Sequence, residues 1–433
     1  MFKTLNYPPT LYWEVTEICN HNCIHCFNYW RTDELYKRVS YSSDYYLNMA
    51  KMIAKNNPVK VVITGGEPLT VFSEIKLAID YLLSRGIVVG INTNAALVDQ
   101  DICEFLKTRQ ISLFVSFPSC NEVEFNKITN SANGFNLVCS ALDMLISNGV
   151  KFSTNTVVSK ININSIVDTV KFLKDEFNLN HASITKVSMP VNAIEHFDDY
   201  MLNQEDYSKY LSYCVEAQKQ TGVHINVASP ITPCSVSTQE QYELFCGTHS
   251  CTAGKTSYVV SHNGDIRACV RDSTVYGNIL TDDFKKIWCN MNEWRDDSLV
   301  PKECVKCKYY YKCRAGCRTD SLPRNGRKDC LDEFSICADK SLEFADIQTH
   351  FPNWDNDIAF EVSKSLVSIK ECCGYRLSSG DCFVYVTEKL YDYLLLNTKF
   401  SIEDFVDSFN ISTEQAIQII YLLFKKKIIY IAK

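Results

Sequence analysis

A chain of 433 residues with 46% apolar side chains can bury two or three cores, so crosslinks are not needed to hold it together. Its formal net charge of −7 argues against a general polyanion binder, whose surface must be basic. Met1–Thr10 lacks an apolar signal core and no apolar run approaches the ~18–20 residues of a membrane span, so the 21 cysteines read as reduced metal or cluster ligands in a low-oxygen cytoplasm, not as disulfides.

Short β-rich runs are predicted at Leu11–Thr16, Val59–Thr64, Ile87–Asn92, Ile111–Phe117, Lys151–Val158 and Ala182–Val187. Helical patterns alternate with them at Ser43–Lys55, Glu74–Ser84, Asp99–Thr108, Phe135–Ser147, Ile163–Phe177 and Gln204–Lys219. Six β–α units in a row predict an α/β fold: a parallel sheet with outer helices, curved into an open, partial (β/α)6 barrel of the TIM type. Chemistry then belongs on the loops beyond the C-terminal strand ends. The pattern breaks at Pro230–Pro233, which places the barrel in residues 1–230 and a Cys-rich unit with turns such as Asn263-Gly264-Asp265 in 231–340. Residues 341–433 form a third unit. It has a hairpin at Tyr375–Tyr385, helices at Thr387–Leu396, Ser401–Phe409 and Ser412–Lys425, and a strand at Lys426–Ala432. Ser401 with Asp404, and Ser412 with Gln415, have the spacing of helix N-caps.

Directly after the first strand comes Cys19-Asn-His-Asn-Cys23-Ile-His-Cys26. Three thiolates on one loop suit three corners of a [4Fe–4S] cube and leave the fourth iron open to a small chelating ligand. A zinc knuckle completed by His21 or His25 is the competing reading, but it does not explain the loop's place at the top of a barrel. Gly65-Gly66-Glu67-Pro68 follows the second strand. Its glycines permit close backbone approach to a ligand, and its carboxylate can hold an ammonium. Gly254-Lys255-Thr256 imitates the end of a phosphate loop, but His249 stands where that pattern requires glycine.

The three-cysteine loop resembles the signature of the radical S-adenosylmethionine (radical SAM) superfamily, with His25 in the usually aromatic place before the last cysteine. The resemblance covers roughly residues 11–230. It implies that the cofactor's methionine part chelates the open iron, and that one electron then yields methionine and a 5′-deoxyadenosyl radical. It further implies cofactor contacts at Gly65, Gly66, Glu67 and Pro68, at Asn92 and Asn94, at Ser116, and at Asn155. Where relatives carry Ser-x-Asp-Gly this chain has Ser116-Phe117-Pro118-Ser119. Before Asn133-Gly134-Phe135, Thr129 or Asn130 stands near the place of a carboxylate-binding arginine.

Further on, Cys251-x12-Gly264-x4-Cys269 precedes Cys304-x2-Cys307-x5-Cys313-x3-Cys317, with Cys330 and Cys337 beyond. This resembles the SPASM extension of peptide-modifying radical enzymes. By that analogy Cys246, Cys251, Cys269 and Cys317 hold one auxiliary [4Fe–4S] cluster. Cys304, Cys307, Cys313 and Cys337, with Cys330 as runner-up, hold another. Paired zinc ribbons are the alternative. The remaining cysteines, among them Cys103, Cys120, Cys139 and Cys289, read as small buried apolar residues. The tail resembles a winged helix and the small peptide-recognition modules related to the pyrroloquinoline quinone chaperone. A neutral balance of acidic and basic side chains there speaks against DNA.

These resemblances imply a radical SAM enzyme with three [4Fe–4S] clusters. It would install a thioether or carbon–carbon crosslink in a ribosomally made precursor peptide, fed by a flavodoxin- or ferredoxin-type reductant. A formylglycine-forming sulfatase maturase is the alternative among enzymes. An iron–sulfur sensor with a DNA-binding tail is the alternative of another class.

Overall fold

The structure, a computed structural model, describes residues 5–28, 30, 39, 41–190, 197–246, 250–335, 343–345, 351–371 and 373–432. The first half alternates as the sequence predicts: β1 (Thr10–Thr16), α1 (Ser43–Ala54), β2 (Lys60–Gly65), α2 (Phe72–Ser84), β3 (Val88–Thr93), α3 (Gln100–Thr108), β4 (Ser112–Ser116), α4 (Glu122–Thr129), α5 (Gly134–Ser147), β5 (Phe152–Val158), α6 (Ile166–Phe177), β6 (His181–Lys186), α7 (Gln204–Thr221) and β7 (His224–Asn226). Strands β1 to β7 lie in sequence order, and every neighbouring pair is parallel.

Side chains on a strand alternate between its two faces. Leu11, Trp13 and Val15 of β1, Val61 and Ile63 of β2, Val89 and Ile91 of β3, and Leu113 and Val115 of β4 are buried in one apolar cluster with the helices. The intervening residues include Tyr12, Lys60, Thr64, Asn92, Ser112, Ser116, Ser153 and Asn155, with the apolar Val62 and Phe114 among them. They are largely polar and border a cavity on the sheet's other face. The period of two thus builds an oily outer layer and an interior of mixed polar and apolar side chains from the same strands.

Two features depart from the sequence reading. Helix α4 was not predicted. It has eight residues and buries only Phe125, Ile128 and Thr129, too short a pattern to show a 3.6-residue period. The sheet also crosses the expected boundary at 230/231. After α8 (Gln239–Phe245), β8 (Ser257–Val260) pairs in parallel with the free edge of β1. Strands β9 (Asp265–Arg267) and β10 (Val275–Asn278) extend it antiparallel, giving ten strands among the described residues. A buried ion pair between Glu14 on β1 and Arg267 on β9 locks this extension. Three short helices follow: α9 (Phe284–Asn290), α10 (Tyr310–Cys313) and α11 (Leu322–Asn325).

The C-terminal unit has its own apolar core, with Phe360, Leu377, Phe405, Ile420 and Ile428 sealed inside. It runs β11 (Ala359–Val362), β12 (Val367–Glu371), β13 (Gly374–Ser379), β14 (Cys382–Val386), α12 (Glu388–Leu396), β15 (Lys399–Ser401), α13 (Ile402–Phe409), α14 (Thr413–Lys425) and β16 (Ile429–Ile431). Ser401 with Asp404 and Ser412 with Gln415 form reciprocal capping boxes at the starts of α13 and α14. The expected hairpin is the last two strands of a three-stranded sheet, so β13 is central and the outer edges belong to β12 and β14. Among the described residues no helix is long and apolar enough to cross a membrane.

Candidate active site

Strand β1 ends at Thr16, and the chain passes at once into the loop Cys19–Cys26. The loop rests on the unpredicted helix: Ile24 N donates to Ile128 O over 2.9 Å and Asn22 N to Thr129 O over 3.3 Å. From the other side, Asn94 Nδ2 donates to Asn20 Oδ1 over 2.8 Å and lies 3.9 Å from Cys19 Sγ. Cys19, Cys23 and Cys26 all border one cavity of 580 Å³, together with His21 and His25. Nδ1 of the buried His21 has no hydrogen-bond partner among the described residues, and burial lowers its pKa, which favours a neutral ring. Three thiols of one loop around a shared cavity fit the donor set of a [4Fe–4S] cluster with one open iron.

The Gly-Gly-Glu turn lies against the root of that loop. Gly66 N donates to Thr16 O and Glu67 N to Ile18 O, each over 2.7 Å. Such closeness requires glycine: a Cβ at Gly65, where φ is +125°, would stand 2.3 Å from Thr16 O, and one at Gly66 2.2 Å from Ile18 O. Glu67 is only 1% exposed. Its Oε1 accepts from Leu69 N (3.0 Å) and Thr93 Oγ1 (2.6 Å), and its Oε2 from Asn94 N (2.7 Å). Burial pushes its pKa up to about 7 against the pull of these donors. The carboxylate expected to hold an ammonium is therefore engaged within the protein, and the turn offers a ligand its glycine backbone.

The second cysteine field forms two groups. Cys251, Cys269 and Cys317 lie within electrostatic range of one another. Arg271 reaches both ends of this group: its N–H donates to Cys269 Sγ over 3.5 Å and its Nη1 to Cys317 Sγ over 3.6 Å. Arg271 also borders the barrel cavity, so this group adjoins the first site. Cys304, Cys307 and Cys313 border a second, narrow hollow. There Arg314, Ala315 and Gly316 have consecutive φ values of 57°, 67° and 70°. Gly316 N–H donates to the Cys313 carbonyl over 3.4 Å, and the nearby N–H groups of Ala315 and Gly316 favour an anionic Cys313 sulfur, as a backbone concavity of this kind does.

Residues 13–173 match the radical SAM superfamily. The chain belongs to the radical SAM superfamily. Residues 251–318 match the SPASM iron–sulfur cluster-binding domain. The AdoMet-dependent heme synthase of Methanosarcina barkeri is 25% identical over 352 residues, covering 78% of this chain and 98% of that protein. Mycofactocin maturase MftC of Mycolicibacterium smegmatis is 23% identical over 329 residues, covering 73% and 79%. Streptococcus suis SuiB bound to its precursor peptide SuiA superposes with a TM-score of 0.60 at 20% identity, over 77% of this chain and 76% of that one. This radical SAM enzyme is thus one whose cofactors are S-adenosylmethionine and iron–sulfur clusters.

Of the residues expected to touch cofactor in this radical SAM enzyme, His25, Gly65, Gly66, Glu67, Asn92, Asn94, Ser116 and Asn155 border the barrel cavity. Pro68 does not. It is buried at the start of a short 3-10 turn. Asn155 Oδ1 accepts from Thr185 Oγ1 over 3.1 Å. At the place of the family's arginine, Thr129 borders the cavity, whereas Asn130 caps α4 with φ of 49°. Cys246 was expected beside Cys251. Instead the thiols within its electrostatic range are Cys313 and Cys234. Cys330 does not border the hollow of Cys304, Cys307 and Cys313, and Cys337 lies outside the described residues. Cys103 is buried as expected, but Cys289 is exposed.

Among the three cations on the cavity wall, sequence reasoning missed the linked pair Lys186 and Arg271. Both bind the buried carboxylate of Asp320, Lys186 over 2.9 Å and Arg271 over 2.6 Å, and these charges hold its pKa well below the usual carboxylate range. The available signals were position alone: Lys186 closes the last strand of the expected barrel, and Arg271 stands two residues after Cys269.

Proposed function

We propose that this chain is a cytoplasmic radical SAM peptide maturase that forms a thioether or carbon–carbon crosslink in a ribosomally made precursor peptide. The observation that carries this reading is a C-terminal unit with its own core and two outer sheet edges, β12 and β14, unpaired among the described residues, attached to a barrel with a 580 Å³ cavity. A flexible peptide is costly to order at a barrel mouth, and a docking surface on the same chain raises its effective concentration. Sheet edges accept extended peptides through backbone hydrogen bonds. The mycofactocin maturases among the relatives agree with a peptide substrate.

Bound S-adenosylmethionine and a reduced [4Fe–4S] cluster supply the hydrogen-abstracting radical. In this reading Cys19, Cys23 and Cys26 hold that cluster, and Gly65, Gly66, Asn92, Asn94, Ser116 and Asn155 form the cofactor's bed. The GGE turn and α4 keep the cysteine loop in register. Lys186 and Arg271, both held by Asp320, brace the inner wall beside the SPASM cysteines. The SPASM cysteines hold two further clusters, making three in all. Bound there, they would supply an electron acceptor or a site for a substrate thiolate, and a flavodoxin- or ferredoxin-type partner would supply reductant.

A second reading, haem synthesis, is favoured by the match that spans 98% of the M. barkeri protein. The cation Lys60 on the cavity wall suits a substrate bearing carboxylates. One experiment separates the two. Reconstituted enzyme is incubated anaerobically with S-adenosylmethionine and dithionite, with a short Cys-containing peptide encoded beside the gene or with an iron porphyrin precursor. A peptide product lighter by two hydrogens, with 5′-deoxyadenosine, supports the maturase. Haem absorbance from the porphyrin supports the second reading. No 5′-deoxyadenosine from fully reconstituted, reduced protein contradicts both.

A further inference from the structure

Of the three cations on the barrel cavity's wall, Lys186 and Arg271 are both taken by Asp320. Lys60 is the third, and among the described residues it makes no ion pair. It opens β2, at the end of the strand opposite the Gly-Gly-Glu turn. The register sets Tyr12, Val62, Gly90 and Ser112 abreast on four neighbouring strands, with Lys60 one pleat below Val62. Its side chain turns inward: a Cβ added at Gly90 would stand 3.7 Å from Lys60 Cε. The lysine stem thus lies over the residue of that row that has no side chain, and Lys60 forms the cavity floor with Tyr12 and Ser112.

The cavity is polar at both ends and apolar between them. Above the floor come Val62 and Phe114, and beyond these Asn94, Ser116 and Asn155 stand at the strand ends near the cysteine loop. From Lys60 to Gly65 the strand climbs five residues, roughly 16 Å at ~3.3 Å each. The two acids on the cavity wall are both at the upper end. Glu67 is held by Leu69, Thr93 and Asn94, and Glu17 stands beside His262, Oε1 to Nδ1 3.5 Å. An ammonium inside a barrel is costly unless an anion joins it, and no acidic side chain among the described residues does so.

We infer that Lys60 anchors a carboxylate of the substrate at the cavity floor. The inference rests on the reading that the barrel cavity receives the substrate, and adds the group that recognises it. With its carboxylate on the floor, a substrate lays its apolar middle against Val62 and Phe114 and presents its far end to the cofactor's bed. An acidic side chain or the C-terminus of a peptide carries this chemistry, and so do the propionates of a porphyrin.

The test compares wild type, Lys60→Met and Lys60→Arg after anaerobic reconstitution. The ligands are the peptide encoded beside the gene and the iron porphyrin precursor. Each is also used in blocked forms: the peptide amidated at its C-terminus, with Asn and Gln for its Asp and Glu, or both, and the porphyrin as its propionate methyl ester. For the ligand that wild type converts, Lys60→Met should lower kcat/KM by roughly 10–100-fold, the range of a lost charge-assisted contact, and Lys60→Arg should recover most of it. Blocking the recognised carboxylate should lower wild type by a similar factor and leave Lys60→Met unchanged, which also identifies the carboxylate's source. Equal kcat/KM in wild type and Lys60→Met overturns the inference. So does a loss in Lys60→Met that persists in full on the fully blocked ligand, because the lysine then acts through the fold. Should Lys60→Met fail to fold, acetylation of Lys60 in the wild type decides, using an N-hydroxysuccinimide ester and mapping by mass spectrometry. The free ligand should slow it and the fully blocked form should not; equal rates with the two forms overturn the inference. Wild type that converts neither ligand, with its clusters filled and reduced, overturns the reading and the inference together.

Discussion

The backbone N–H of Asn94 donates to Glu67 Oε2 over 2.7 Å, so the end of β3 hangs on the Gly-Gly-Glu turn that follows β2. The same Asn94 reaches Asn20 with its side-chain amide. One buried carboxylate therefore sets the distance between two strand ends and the cysteine loop. Glu67→Ala leaves Leu69 N–H, Thr93 O–H and Asn94 N–H without their acceptor, at about 1–3 kcal/mol for each buried group left unpaired. A large fall in thermal midpoint and a lowered iron content are expected; an iron count and melting curve like wild type would contradict this role.

Glu67 also predicts a pH dependence. Its folded pKa is raised to about 7 from 4.5, so between those values the folded state holds more protons than the unfolded one. Stability from this group is then full below pH ~4.5 and lost as pH rises through about 7, by roughly 3 kcal/mol in all. Urea unfolding at pH 5 and pH 7.5 should show this decline in wild type and a flatter profile in Glu67→Gln. Parallel profiles would show that the carboxylate is ionised throughout.

Gly66→Ala places a Cβ 2.2 Å from Ile18 O, and backbone on both sides leaves little room to yield. A loss of more than about 2 kcal/mol is expected. Gly86→Ala meets nothing within 4 Å, although its φ of +74° adds strain, and serves as the comparison that separates backbone strain from collision. Equal melting temperatures for the two variants would show that the turn moves freely.

Cys19, Cys23 and Cys26 share the barrel cavity. Their joint replacement by alanine should abolish 5′-deoxyadenosine formation and remove about four irons. Cys304→Ala with Cys307→Ala should spare uncoupled cofactor cleavage but block product. Stoichiometric zinc in the wild type, with only about four irons, would return the SPASM cysteines to the zinc-ribbon reading.

Arg376 ties the C-terminal unit to the barrel. Buried to 1% exposure, it donates to Tyr7 O over 2.8 Å and to Asn57 O over 2.6 Å. Arg376→Ala strands both carbonyls, and faster limited proteolysis of the C-terminal unit is expected, with barrel melting little changed. Deleting residues 360–433 should weaken peptide binding strongly while cofactor cleavage without peptide survives. Unchanged peptide affinity in a folded truncation would remove the tail from the docking role.

Much of the barrel was legible because its instructions are local. Leu11, Trp13 and Val15 alternate with Tyr12 and Glu14 within one strand, and the cysteine spacing of residues 19–26 is contained in eight positions. What was not legible depends on distant partners. Ser257–Val260 has the composition of any short strand, and nothing in it names the edge of β1 as its neighbour. Cys234 belongs to no spaced run, so only folding reveals which thiols it faces. Glu67 beside two glycines looks like a ligand group, because burial on all sides is not a property of the turn itself.

The pairing of β1 with β8 has a consequence for the chain while it is being made. β1 gains β2 early, but its other edge stays open until residue 257 leaves the ribosome. The gap from Thr16 to Ser257 is 241 residues, which takes roughly 12–50 seconds at ~5–20 residues per second. Throughout that interval an apolar strand edge and the three thiols just beyond it are exposed together. The nascent chain is then most vulnerable to sticking and to oxidation, so its yield will depend on how quickly synthesis reaches the strand that closes the edge.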